Sequence, residues 1–140
     1  DVDAGPPDTT NSFHVDNYQN QSISLTSITT EQSQNVSISY NITDPTSDNL
    51  TIEPYYSTDG GSTWNIATTR SNLIISPFDY IGFIIWDSYT DLPGQDISAV
   101  EFKIEISDGW GYGVPGNINF HLDNNLYPCY QFDFHYYLKL

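Results

Sequence analysis

Apolar and polar residues alternate at period two along most of this chain, and no stripe of helical period competes with that alternation. Ser22–Ile28 predicts a first strand with Ile23 and Leu25 inward. Asn35–Thr43 predicts a second, with Val36, Ile38, Tyr40 and Ile42 on one face and Asn35, Ser37, Ser39 and Asn41 on the other. Asp44-Pro45-Thr46-Ser47-Asp48 is a turn. Leu50–Ser57 follows as a strand whose Pro54 predicts an edge or a bulge. Leu73–Ile75 is a short strand inside an irregular stretch. Tyr80–Trp86 is apolar on both faces, which predicts a central or covered strand. After a loop over 87–98, Val100–Ser107 alternates cleanly, with Val100, Phe102, Ile104 and Ile106 inward and Glu101, Lys103 and Glu105 outward. Asn117–Leu122 closes the series. Seven or eight short strands separated by turn signals predict an all-β antiparallel sandwich.

The stretch Tyr56-Ser57-Thr58-Asp59-Gly60-Gly61-Ser62-Thr63-Trp64 organises the middle of the chain. Asp-Gly-Gly supplies the positive-φ positions of a tight turn, Asp59 can bind its own turn, and Trp64 offers a plate for packing. A hairpin returning through Trp64–Thr69 is expected. Ser57-x-Asp59-x-Gly61-x-Thr63-Trp64 resembles the Asp-box, a hairpin motif of sialidase propellers and unrelated β-domains. The resemblance implies a folding device rather than an active site.

The ends carry additional strands. Ser12-Phe13-His14-Val15-Asp16-Asn17 matches Asn119-Phe120-His121-Leu122-Asp123-Asn124 at a spacing of 107 residues (13 to 120), one Ig-sized period. Residues 1–17 are therefore expected to be the end of a preceding repeat or a copy of the closing strand, 18–125 the sandwich, and 126–140 a separate segment. In that last segment Tyr130, Phe132, Phe134, Tyr136, Leu138 and Leu140 alternate with Gln131, Asp133, His135, Tyr137 and Lys139. An amphipathic strand of this length needs a cover. It can add to its own sheet, begin another repeat, or insert into a neighbour as donor strands do. Phe13 and Val15 of the first segment, with Tyr130, Phe132, Phe134, Tyr136 and Leu138, are the candidate assembly residues. Head-to-tail exchange of this kind yields filaments.

Charge narrows the range of partners. Eighteen acids face three Lys and Arg residues, for a net charge of −15 in 140 residues. Such a field repels nucleic acid and anionic lipid, and it favours cations. Cys129 is the only cysteine, so no disulfide can form within the chain. No apolar run approaches the ~20 residues of a membrane helix, so insertion into a membrane is not expected. Asn20, Asn35, Asn41 and Asn49 each begin an Asn-x-Ser/Thr sequon and are candidate glycosylation sites.

Catalytic constellations are not evident. His14, His121 and His135 belong to no paired-histidine metal motif, and Glu53, Glu101 and Glu105 read as solvated strand charges rather than a glycosidase pair. Neither a phosphate-binding loop nor a nucleophile elbow is present, and no enzyme activity is expected. The acidic loops invite calcium, which takes six to eight oxygens from irregular loops. Asp44, Asp48 and Asp108 are expected at one end of the sandwich, and Asp87, Asp91 and Asp123 at the other, where neighbouring repeats would meet. Trp110 and Tyr112, in the turn Asp108-Gly109-Trp110-Gly111-Tyr112-Gly113, could stack on a sugar.

Five motifs occur in order: Asp44-Pro45-Thr46-Ser47-Asp48, the Asp-Gly-Gly hairpin, Trp86-Asp87-Ser88 with Asp91-Leu92-Pro93-Gly94, Ser107-Asp108-Gly109-Trp110-Gly111, and Phe120-His121-Leu122-Asp123-Asn124. The series resembles the Ig-like, fibronectin type III-like tandem domains of bacterial and archaeal surface proteins, over about residues 18–125. That resemblance implies a non-enzymatic extracellular module, a repeat or subunit of a cell-surface stalk, sheath or filament, whose partners are copies of itself or adjacent repeats. It requires no cofactor beyond a possible role for calcium. The alternative is a module that binds surface glycans or another adhesion ligand.

Overall fold

The computed structural model describes residues 20–125. The segments 1–17 and 126–140, with Phe13, His14, Val15, Cys129, Tyr130, Phe132, Phe134, His135, Tyr136 and Leu138, lie outside the described residues. Within them the chain forms β1 (Ser22–Leu25), β2 (Asn35–Thr43), β3 (Leu50–Ser57), β4 (Asn65–Ile66), β5 (Ile74–Ile75), β6 (Ile81–Asp87), β7 (Asp96–Ser107) and β8 (Gly116–Asp123). Two antiparallel sheets result: β1-β2-β6, and β4-β3-β7-β8 with β5 also on β3. This is the all-β antiparallel sandwich that the alternation predicts. No helix of the described residues is long and apolar enough to cross a membrane.

The inward faces are those read from the sequence. Val36, Ile38, Tyr40 and Ile42 of β2, with Ile84 and Trp86 of β6, pack against Leu50 and Ile52 of β3, Val100, Phe102, Ile104 and Ile106 of β7, and Phe120 and Leu122 of β8. Trp86 is fully buried at the centre. Its ring lies 5.4 Å from Tyr56, 5.1 Å from Phe102 and 6.3 Å from Phe120. Removing an aromatic side chain so placed costs about 3–5 kcal/mol. Short parallel bridges (Ser22 with Val114, Gln32 with Leu122) close the side where β1 meets β8.

Several boundaries differ from expectation. The first strand ends at Leu25 rather than Ile28, and the hairpin returns as a strand only over Asn65–Ile66. Pro54 marks neither edge nor bulge: β3 is an inner strand of its sheet. Its carbonyl accepts from Ala67 N at 3.0 Å, and the reciprocal bond that proline cannot make falls where the pairing changes from β4 to β5, at the end of that short ladder. The stretch 87–98 contains a helical turn, Ser88–Asp91, and the start of β7, which carries a bulge between Ile97 and Val100. Finally, Tyr80–Trp86 is not a central strand. As β6 it stands at the rim of the three-stranded sheet, with Ile81 (79% exposed) and Phe83 (61% exposed) facing outward.

Candidate functional site

The Asp-Gly-Gly turn is built as a folding device. Gly60 and Gly61 have φ of +69° and +84°, conformations open to glycine at little cost. Ser57 Oγ donates to Asp59 Oδ1 (2.7 Å) and accepts from Gly61 N (2.9 Å). Asp59 in turn accepts from Thr63 N (2.8 Å) and from Thr63 Oγ1 (2.6 Å). The Thr63 hydroxyl, the Thr63 amide and the Ser57 hydroxyl all stabilise the charged carboxylate and hold its pKa down to about 2. Trp64 lies beneath the Lys103 ammonium, 4.4 Å from its ring centroid, and the same ammonium is 5.2 Å from the Tyr55 ring. Lys103 also pairs with Glu105 at 2.8 Å. Tyr55 donates to Glu53 (3.0 Å), and that bond raises the phenol to about 12. Glu53 and Glu105, the acids that could imitate a glycosidase pair, are thus engaged by Tyr55 and Lys103.

The end where β1 begins holds Asp44, Asp48 and Asp108, as expected. Asp44 is buried and accepts from Thr46 Oγ1 (2.9 Å), Asp48 N (2.8 Å) and the Tyr80 hydroxyl (2.8 Å). Burial works against its charge, but these donors outweigh it and lower the pKa; the same burial, together with Asp44, raises that of Tyr80. Asp108 Oδ1 accepts from the amides of Trp110 (2.8 Å) and Gly111 (2.9 Å), which shapes the glycine-rich turn. That turn is anchored to the chain's entry by Gln21 Nε2, which donates to Gly111 O (2.9 Å). Trp110 (77% exposed) and Tyr112 (69% exposed) project from it.

The opposite end is organised by Asn124, which the sequence reading had not singled out. Its side chain is buried, accepts from Gln34 N (2.8 Å), and donates to Ser88 O and Leu92 O (both 3.0 Å). One residue therefore joins the end of β8 to the loop before β2 and to the turn after β6. The available signal was the repeated Asp-Asn at 16–17 and 123–124. Nearby, Asp91 accepts from Trp86 Nε1 (2.7 Å), Thr68 N (2.8 Å) and Thr68 Oγ1 (2.6 Å). Asp87 pairs with Arg70 (2.9 Å) and accepts from Thr90 N, and Asp123 accepts from Asn125 N (2.8 Å). His121 lies between Asp96 (Nε2, 2.8 Å) and Glu31 (Nδ1, 3.2 Å). The Asp96 bond, with the charges of Glu31, Asp96 and Asp123, raises its pKa.

The topology divides the expected calcium ligands three and three between the ends, but it does not bring them into a coordination sphere. Among the described residues no three of His, Cys, Asp and Glu gather closely enough to hold a metal. Asp44, Asp87, Asp91, Asp108 and Asp123 instead accept hydrogen bonds from their own turns and neighbouring loops, the ordinary use of aspartate at loop starts. The sequon residues Asn20, Asn35, Asn41 and Asn49 are all exposed, with Asn35 and Asn41 on the outward face of β2.

No protein-family model matches the chain, and no curated protein matches it. Among solved structures, the X-ray structure of the endo-beta-1,4-mannanase from Thermotoga petrophila is similar over 78% of this chain, at a TM-score of 0.49 and 12% identity. The chain spans 21% of the length of that protein. A likeness so remote carries no inference about activity.

Proposed function

We propose that this chain is a non-enzymatic extracellular structural domain, a repeat or subunit of a cell-surface stalk, sheath or filament. The observation that carries this reading is the second copy of the closing motif. Phe120, Leu122 and Asn124 are the buried residues of the last strand and its end cap, and Phe13, Val15 and Asn17 stand at the same spacing in the upstream copy. A closing motif spelled twice at one Ig-sized period favours tandem domains, each with a core of its own. Assembly proceeds by exchange of terminal strands. Electron microscopy of the native assembly, of chains lacking 1–17, and of chains lacking 126–140 tests the reading. If both truncated chains build the native assembly, exchange is wrong; if the native protein is a dispersed monomer, the structural role is wrong.

A second reading, a glycan- or adhesion-ligand-binding module, draws support from Trp110 and Tyr112, large apolar plates held exposed on a turn fixed by Asp108 and Gln21. Binding on a glycan array that is lost in Trp110→Ala would favour it over the structural role.

A further inference from the structure

The rim strand β6 lacks a neighbour along part of its outer edge. Ile42 N donates to Tyr80 O, so in this antiparallel pair the backbone groups of residues 80, 82, 84 and 86 face β2, and those of 81, 83, 85 and 87 face away. The upper part of that outer edge is occupied: Ile85 O accepts from Arg70 N, Asp87 N donates to Thr68 O, and Ile85 N donates to Ser71 Oγ. The N–H and C=O groups of Ile81 and Phe83 have no backbone partner among the described residues. Their side chains are exposed and apolar, and Phe78, 98% exposed, precedes them. No Lys, Glu, Asp or Pro interrupts 80–86, although such residues are the usual protection of an open edge. The outward face of the adjacent β2 is polar (Asn35, Ser37, Ser39, Asn41), so the apolar stripe belongs to the rim strand alone.

Where the chain leaves the sandwich indicates what fills this edge. Asn124, at the end of β8, donates to Ser88 O, immediately beyond β6. The described chain ends at Asn125, beside Gln95 and within one side chain's reach of Ser88, at the end of the sandwich where β6 stops. From Ser88 back to Ile81 is about 24 Å of strand, and an extended 126–140 spans about 50 Å, enough to pass Thr68–Ser71. We propose that Tyr130–Leu140 of the same chain adds to β6 as an extra antiparallel strand, bonding the backbone of Ile81 and Phe83 and placing aromatic rings beside their side chains. This seat leaves the upstream segment, residues 12–16, as the one available for exchange under the proposed function.

Residue-resolved amide exchange of the full-length chain and of Phe132→Asp/Phe134→Asp tests the seat. In the variant, the Ile81 and Phe83 amides are expected to exchange at least about tenfold faster, while Gly82 and Ile84, bonded to β2, keep their rates. Equal rates at Ile81 and Phe83 in the two proteins would overturn the proposal. Should the variant fail to fold, the unmodified chain decides: cross-strand proton contacts between Ile81 or Phe83 and residues 130–140 are expected, and their absence overturns it. Protection at Ile81 and Phe83 that disappears on dilution would assign the seat to a second copy's tail and overturn own-chain docking. The exchange rates and the cross-strand contacts are independent of whether the native protein forms an assembly; the dilution result alone reports exchange of this tail.

Discussion

Replacing Asn124 by alanine removes a side chain that joins three separate segments to the end of β8. Its oxygen accepts from Gln34 N at 2.8 Å, and its amide donates to Ser88 O and Leu92 O at 3.0 Å each. Asn124→Ala therefore leaves Gln34 N without its acceptor and takes one donor each from Ser88 O and Leu92 O, which keep Leu92 N (2.8 Å) and Gln95 N (3.4 Å). An ordinary hydrogen bond contributes about 1 kcal/mol net, and a buried group left without a partner costs about 1–3 kcal/mol. Water can reach the exposed Gln34 and the half-buried Leu92 but not the buried Ser88. The expected loss is thus about 1–3 kcal/mol, from three lost hydrogen bonds with neither carbonyl left wholly without a donor. For a domain of this size that lowers the melting temperature by about 10 °C.

The assay is urea unfolding followed by circular dichroism, with the slope against urea compared between proteins to establish that the unfolded state is unchanged. Asn124→Asp provides the control, because it keeps an acceptor for Gln34 N but turns a carboxylate toward two carbonyls. At neutral pH it should destabilise at least as much as alanine. A loss below about 0.5 kcal/mol for both variants would refute the view that Asn124 clamps this end of the sandwich, since that is the range of an unremarkable surface change.

Three further outcomes follow from the same geometry. Asp59 has its pKa depressed to about 2 from 3.8, so its contribution is complete above pH ~4 and disappears as pH falls through ~2; Asp59→Asn should flatten that part of an acid melting profile. His121 shifts the opposite way, because its folded pKa is raised above 6.5; its contribution is complete below that value and is lost as pH rises through the folded pKa, a trend His121→Gln should abolish. Calcium at millimolar concentration should leave the melting temperature of the chain unchanged relative to chelator, because the loop carboxylates already serve their own turns; a tight site held at 100 times its dissociation constant would add ~2.7 kcal/mol and contradict this.

The features legible in the sequence were those that repeat every second residue. Val36 to Ile42 and Val100 to Ile106 alternate without interruption, and both faces came out as read, because one buried side fixes the register of a strand. The Asp-Gly-Gly turn was legible for a local reason: the side chains of Ser57, Asp59 and Thr63 bond within residues 57–63. Features that depend on distant partners were not. Pro54 looked like an edge marker because nothing local says that the strands beside it change at that residue. Asp91 looked like a loop acid available to a metal until Trp86 and Thr68 were placed beside it.

The same distinction accounts for β6. Apolar residues on both faces of Tyr80–Trp86 predict cover on both faces, and the described residues provide it only for the inward side chains, Ile84 and Trp86. An apolar residue at a strand rim is not in itself unusual. Two on one face of β6 (Ile81 and Phe83), with exposed Phe78 in the turn before them and beside backbone groups that no described residue meets, amount to an edge open to a partner. The expectation of a central or covered strand therefore fails for the described residues, because alternation reports which side chains are apolar and not how many strands lie beside them.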